Sequence, residues 1–331
     1  YQRAALDTVP TRREFYVAPY FNFGLSRRDG PKKKGLELKY SYTRSLPDLL
    51  QTLDYRDEST PLVVSSGNPD LKASARHNSS LRLFSENSEN YGLASLSLYY
   101  NLYENLVRQS MVYDKASGIR TYRPQNTSGN WDAGMGFEYF FPTGKANRRI
   151  SSFTDIRYAN NVGFAALSDG LDAARNSVRD LSVAERFELF FYKDNFLPQL
   201  RINLNARYTR SESKLFSTMN LFDVNCGLVI RVPLPWNMEM RQDLNVYVHR
   251  GYQDRSFNTE EYIWSAHIEK KILKGKMAFR LQAFDILNQM GNIQYTSTPQ
   301  VQTETYRNSL GRYIMLKIRY DFTKQPKKKN E

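Results

Sequence analysis

The sequence predicts an all-β fold, an antiparallel transmembrane β-barrel. Three observations carry this. Stretches of roughly ten residues alternate apolar and polar side chains, the period of a strand with two unlike faces. About 13 such stretches follow one another, joined by connections that are alternately short and long. No run of about 18 apolar residues is present, so a helix cannot supply the crossing. A strand that hides its apolar residues between polar ones can.

Residues 1–10 show no clear period. Glu14–Gly24 reads as the first strand, with Phe15, Val17, Phe21 and Phe23 on one side. Pro19 interrupts it and points to an edge or a bulge, because proline cannot donate to a ladder. Arg27 to Lys34 is a turn marked by Asp29-Gly30-Pro31. Gly35–Arg44 then alternates without error, Leu36, Leu38, Tyr40 and Tyr42 against Glu37, Lys39, Ser41 and Thr43. Ser45–Lys72 is long and irregular, with a helical turn or two at Leu49–Leu53. Gly67-Asn68-Pro69 inside it reads as a turn that starts a strand.

Strands are expected next at Asn78–Phe84, Tyr91–Tyr113 and Ile119–Phe141, the last two as single long strands around a turn at Asp114–Gly118. Ile150–Asn160 is weaker, and Asn161–Arg179 is a loop with a helical stretch at Leu167–Arg175. Leu181–Phe191, Leu200–Thr209, Phe222–Val232, Met240–Arg250, Tyr262–Lys270 and Met277–Asn288 follow. Pro233-Leu234-Pro235-Trp236 and Lys274-Gly275-Lys276 make two of the tight turns. Gln289–Arg307 is a loop, and Asn308–Phe322 is the final strand, closing on an aromatic residue. The barrel strands thus occupy residues 11–322, and residues 323–331 form a basic periplasmic tail.

The two faces differ in chemistry. Glu37, Lys39, Arg82, Arg201, Asn203, Arg207, Asp223, Asp243, Asn245, Arg280, Lys317, Arg319 and Asp321 share the polar one, expected to face a wet lumen. On the other, charge is scarce, since Arg or Lys at the bilayer midplane costs about 2–4 kcal/mol. Arg312 reads as the exception, near the outer end of its strand, where the cost falls to about 0–1 kcal/mol. Outward tyrosines and Trp264 are expected in the interfacial girdles. Short turns gather on one rim and the long loops on the other, the arrangement of periplasmic turns and extracellular loops.

The formal net charge of +13 indicates either an anionic partner (nucleic acid, lipopolysaccharide or an acidic solute) or a solvated surface with a basic tail. The single Cys226 excludes a disulfide within the chain and a cysteine metal site. His77, His249 and His267 lie on three strands without ligand spacing, so no metal is expected. No nucleophile elbow, Walker loop or zincin motif occurs, and no enzyme activity or cofactor is expected.

Leu62-Val63-Val64-Ser65-Ser66-Gly67-Asn68-Pro69-Asp70-Leu71-Lys72 resembles the Gly-Asn-Pro-x-Leu-Lys-Pro-Glu stretch of TonB-dependent receptor barrels, with Ala73-Ser74 in place of Pro-Glu. Ala283-Phe284-Asp285-Ile286-Leu287-Asn288 and Ser309-Leu310-Gly311-Arg312-Tyr313 to Phe322 resemble the last two strands of the same class. The chain from about Phe15 to Phe322 is similar to the outer-membrane β-barrel family common in Bacteroidota. The resemblance implies a 22-stranded barrel, a plug and a TonB box ahead of these strands, and energy-dependent uptake of a metal chelate, peptide or glycan. The chain therefore reads as a C-terminal piece of a larger receptor in a Gram-negative outer membrane. Implied partners are outer-membrane lipid and lipopolysaccharide, the solute, TonB through the N-terminal part and a surface lipoprotein, but no nucleic acid.

Tyr295, Gln300, Gln302 and Tyr306 are the candidates for ligand contact at the outer mouth, and Arg201, Arg207, Lys317 and Arg319 for the lumen. The alternatives are a plain surface loop and a mixed, ion-paired lumen. Two other functions compete with import: a structural or adhesive outer-membrane barrel, and a soluble β protein that binds acidic polymers.

Overall fold

The computed structural model of the chain describes residues 15–114, 116–142, 148–165, 174–191, 199–214, 217–291, 293–297, 302–306 and 310–322. Strands β1 (Tyr20–Asp29) and β2 (Lys32–Ser45) form a tight hairpin turning at Gly30. The connection to β5 (Ser74–Asn87) contains α1 (Leu49–Thr52), β3 (Arg56–Thr60) and β4 (Val63–Ser66). Then come β6 (Gly92–Glu104), β7 (Leu106–Tyr113), β8 (Arg120–Thr127), β9 (Asn130–Pro142), β10 (Arg148–Ala165) and β11 (Ala174–Phe191). After them lie β12 (Gln199–Ser213), β13 (Met219–Leu234), β14 (Met238–Arg250), β15 (Glu260–Ile272) and β16 (Met277–Phe284). The short hairpin β17 (Ile293–Ser297) and β18 (Gln302–Tyr306) precedes the last strand, β19 (Tyr313–Tyr320).

One 13-stranded sheet dominates, in the order β1-β2-β5-β6-β9-β10-β11-β12-β13-β14-β15-β16-β19. Every pairing in it is antiparallel and in chain order, as expected of strands joined by hairpins. The register carries the alternation across the sheet. Leu36 faces Leu83, Leu83 faces Leu96, and Leu96 faces Phe137. Further on, Ile202 faces Leu228, which faces Leu244. Among the described residues no second sheet covers this apolar face: Leu98, Leu204, Leu316 and Ile318 are 39%, 37%, 62% and 57% exposed. A sandwich would have sealed them, whereas a wall facing lipid leaves them open.

Aromatic rings band both ends of that face. Toward the long-loop rim, Tyr100 contacts Trp131 and Trp131 contacts Tyr158, with ring centres 6.2 and 5.5 Å apart. Trp264 lies in the same band, its indole N–H donating to Gln242 at 2.7 Å. Toward the short-turn rim, Tyr139 stacks on Phe141 and Tyr320 packs edge-on against Phe322.

Several expected boundaries move. The first strand starts at Tyr20, not Glu14, because Pro19 has no N–H; its carbonyl accepts from Tyr42 instead. Tyr91–Tyr113 is two strands, broken at Asn105 (φ 48°), and Ile119–Phe141 is two, broken at Gly129 (φ 86°). The outer parts, β7 and β8, leave the large sheet for a four-stranded one, β3-β4-β8-β7, in which β4 and β8 run parallel. The loop Ser45–Lys72 supplies the other half of this sheet, so it is ordered rather than irregular. Gly67 closes its base: a Cβ there would stand 1.8 Å from the carbonyl oxygen of Leu53. Strands β10 and β11 extend through much of Asn161–Arg179, and Ala174 and Arg175 belong to a strand, not a helix. The rest of that expected helix lies outside the described residues.

Buried apolar side chains are few. Met219, Leu221 and Tyr252 cluster at the long-loop rim with Phe257 against them. Among the described residues the wall itself has no packed centre, only two faces.

Candidate functional site

Strand alternation turns Asp155, Arg186, Arg207, Asp223, Asn225 and His249 to the polar face, and five neighbouring strands bring them around one cavity of about 390 Å³. Asp223 is its hub. Its Oδ1 lies 2.7 Å from His249 Nδ1 and accepts from the Tyr252 hydroxyl at 3.1 Å, and Arg207 is its partner across the β12–β13 ladder. Tyr252 sits just beyond β14, where burial and then the Asp223 carboxylate hold its phenol protonated well above the ordinary tyrosine range. Arg186 lies over the Phe153 ring, 5.8 Å from its centre.

Below this cluster is a patch of amides. Asn225 Oδ1 accepts from Asn203 and Asn205, each at 3.3 Å. Gly227 makes the space: a Cβ there would come within 2.5 Å of Asn203 Oδ1 and 2.6 Å of Asn245 Oδ1. The buried Asn225 Nδ2 has no acceptor among the described residues. The cavity thus offers cations, carboxylates, amide donors and an aromatic ring on one water-facing surface. That mixture suits a polar solute held by several hydrogen bonds. Among the described residues no group of His, Cys, Asp and Glu could hold a metal ion.

A second cavity, about 800 Å³, opens at the long-loop rim between residues 256–262 and 288–291, with Tyr306 on its wall. Buried Glu261 accepts from the Gly291 N–H at 2.8 Å, and Asp285, with no exposed surface, accepts from the N–H groups of Gln289 and Met290. Asp285 therefore works as a backbone cap. Phe257 stacks on Tyr306 with ring centres 6.4 Å apart, and Glu304 accepts from the N–H groups of Gln253 and Asp254. These contacts fasten the hairpin β17–β18 over the loop after β14, so Gln289–Arg307 is partly sheet rather than plain loop.

The sequence candidates separate accordingly. Arg207 lines the polar-face cavity and Tyr306 the mouth. Tyr295 and Gln302 lie in β17 and β18, opposite Glu304 and Ser297. Gln300 lies outside the described residues. Arg201 is at the short-turn end, where it and Arg149 hold Glu188. Lys317 faces Arg280 on β19, and Arg319 contacts Asp321 at 3.5 Å. These three join neither cavity.

Sequence reasoning missed the Asp223–His249–Tyr252 group and the amide patch. Their signals were present: His249 and Asp223 have polar-face parity, and a glycine inside a strand marks close approach. It also missed a charge on the apolar face. Glu185 stands there among Val183, Phe187 and Ala206, its carboxylate accepting from Ser152 Oγ at 2.7 Å and from Thr154 Oγ1. Arg312 is therefore not the sole exception.

A family model described as the outer membrane protein beta-barrel family matches residues 28–169 and 182–320. No curated protein and no solved structure matches the chain.

Proposed function

The chain belongs to the outer membrane protein beta-barrel family, and from that membership we propose that it forms part of the wall of a TonB-dependent receptor importing a nutrient solute. Family membership places it in the outer membrane and sets aside the soluble acidic-polymer binder. The observation that carries the import reading is the polar face. Its side chains pair with one another at both ends of the central strands, Glu188 with Arg149 and Arg201 at the short-turn end and Asp132 with Asn101 and Tyr103 at the long-loop end. They surround open cavities rather than a packed core. A wall with lipid on one side and hydrogen-bonding cavities on the other is built to present a polar solute to the lumen.

Strand direction supports a larger barrel. β1 and β19 both run from the long-loop rim to the short-turn rim, and Asp321 N–H donates to the Lys276 carbonyl at the latter. Two strands running the same way cannot close antiparallel, so the 13 strands of the described residues close into a barrel only with an odd number of further strands. A 22-stranded barrel with a plug and a TonB box satisfies this. The solute is a metal chelate, a peptide or a glycan, and the chain performs no chemistry on it.

Uptake tests the reading. Cells expressing the full-length protein should grow on a limiting solute only while the inner-membrane proton gradient is intact, and His249→Ala should reduce uptake about tenfold, the loss of one charge-assisted contact of about 1.4 kcal/mol. Uptake indifferent to an uncoupler, or no solute phenotype beside a stable lipoprotein complex, would favour the structural or adhesive alternative.

A further inference from the structure

Two tight turns on the short-turn rim share an unusual construction. In the β13–β14 turn Trp236 and Asn237 have φ of 61° and 56°, and in the β15–β16 turn Leu273 and Lys274 have 52° and 55°. The left-handed region is unfavourable for any residue with a Cβ, by about 1–2 kcal/mol each. Glycine or asparagine is the ordinary solution at such positions. Here both turns instead carry a large apolar side chain there and leave it in the open, Trp236 79% and Leu273 58% exposed. The turns are tied together, Lys271 N–H donating to the Asn237 carbonyl at 3.3 Å.

Between them lies a cavity of about 710 Å³, whose lining includes Trp236, Asn237, Met238, Lys270, Leu273 and Lys274. Lys270 faces Met238 across the ladder, on the apolar face at its very edge. Neither Lys270 nor Lys274 has an ion-pair partner among the described residues. Glu239 and Glu269 reach the cavity from the polar-face side, and Glu269 is already engaged by Arg280 and Lys271.

We propose that this cavity binds an anionic phospholipid of the leaflet that meets the short-turn rim. The phosphate sits between the ammonium groups of Lys270 and Lys274, and Trp236 and Leu273 flank the glycerol and upper acyl chains. Charge complementarity selects the lipid. A lysine near an anionic membrane surface is worth about 1 kcal/mol, and a lining with three lysines against two carboxylates, net positive beside an indole at the interface, matches one acidic headgroup. A neutral lipid leaves that net charge unmet, and a soluble phosphate leaves Trp236 and Leu273 in water.

Trp236 is the built-in reporter. The full-length protein and its Trp236→Phe variant are placed in vesicles with equal fractions of brominated phosphatidylglycerol or brominated phosphatidylcholine, and the difference in quenching isolates Trp236. The anionic lipid should quench at least about twofold more than the neutral one, and Lys270→Gln with Lys274→Gln should bring the ratio to one. If the double variant fails to fold, Lys274→Gln alone, at an exposed turn tip, should remove about half of the excess. Equal quenching by both lipids in the unsubstituted protein overturns the proposal. So does an excess that inorganic phosphate abolishes while sodium chloride of the same ionic strength does not, since that assigns the site to free phosphate.

Discussion

Two glutamates three residues apart on β11 meet opposite worlds. Glu188 points to the polar face, where Arg149 and Arg201 converge on it from the strands on either side. Glu185 points to the apolar face, where its carboxylate finds two hydroxyls, Ser152 and Thr154, and among the described residues no cation. Same residue type, same strand: the difference lies in what the neighbouring strands can offer. Around Glu188 the polar face supplies guanidiniums; around Glu185 the apolar face supplies hydroxyls. The comparison teaches that the faces are defined by available partners as much as by hydrophobicity.

The harshest way to break the comparison is to move a charge between faces. Leu98→Arg puts a guanidinium on the apolar face and should cost about 2–4 kcal/mol, whereas Ser97→Arg, one residue back on the polar face, should cost less than about 1 kcal/mol. Urea unfolding of the full-length protein in vesicles reads both. Equal costs would mean that the two faces see the same medium.

Packing on the polar face is the next test. Gly227→Val drives methyl groups into the amides of Asn203 and Asn245 and should destabilise by about 1–3 kcal/mol. Gly136→Ala, also on the polar face but with open space around its missing Cβ, should stay within about 0.5 kcal/mol. A tolerated valine at 227 would show that the amide patch is loose.

The two glutamates themselves give a smaller and more pointed effect. Glu188→Gln leaves two guanidiniums facing a neutral amide and should cost about 1 kcal/mol, because the arginines stay partly exposed. Glu185→Leu should do the reverse and stabilise the protein by about 1 kcal/mol, replacing a carboxylate in lipid by a side chain lipid accepts. Destabilisation by Glu185→Leu would mean that the two hydroxyl contacts outweigh the desolvation of the carboxylate.

Much of this was legible in the chain. Period-two alternation revealed 13 wall strands because each meets two different solvents, and the count agrees with the sheet, as does the shared face of the polar residues that lie on its strands, from Glu37 opposite Arg82 to Arg280 opposite Lys317. The breaks at Asn105 and Gly129 were not legible: alternation continues across them, and the switch to the small sheet depends on β4 lying beside β8. Glu185 was read past because one charge in an apolar run does not change its period. Its hydroxyl partners became visible only once register set it opposite Thr154. The same holds for Asp223 and His249, whose parity gives a face but not a depth.

A third carboxylate, belonging to neither face, sharpens the contrast with the smallest effect. Asp114, in the β7–β8 turn, is fully exposed and accepts from Ser117 Oγ at 2.5 Å and from Ala116 N–H at 2.9 Å, and the Ser117 contact is the larger cause of its lowered pKa. A depressed carboxylate contributes its stabilisation above the ordinary range, near pH 4, and loses it as pH falls through the lower value of the folded turn. Exchange of the Gly118 amide, which donates to the Asp114 carbonyl, should therefore stay slow relative to its intrinsic rate until pH drops below that range. In Asp114→Asn the step should vanish, while amides in β10 and β11 keep their protection in both proteins. A wall that loosened together with the turn would mean that the small sheet and the large one open as a unit, and the partners of Glu185 and Glu188 would then be lost with it.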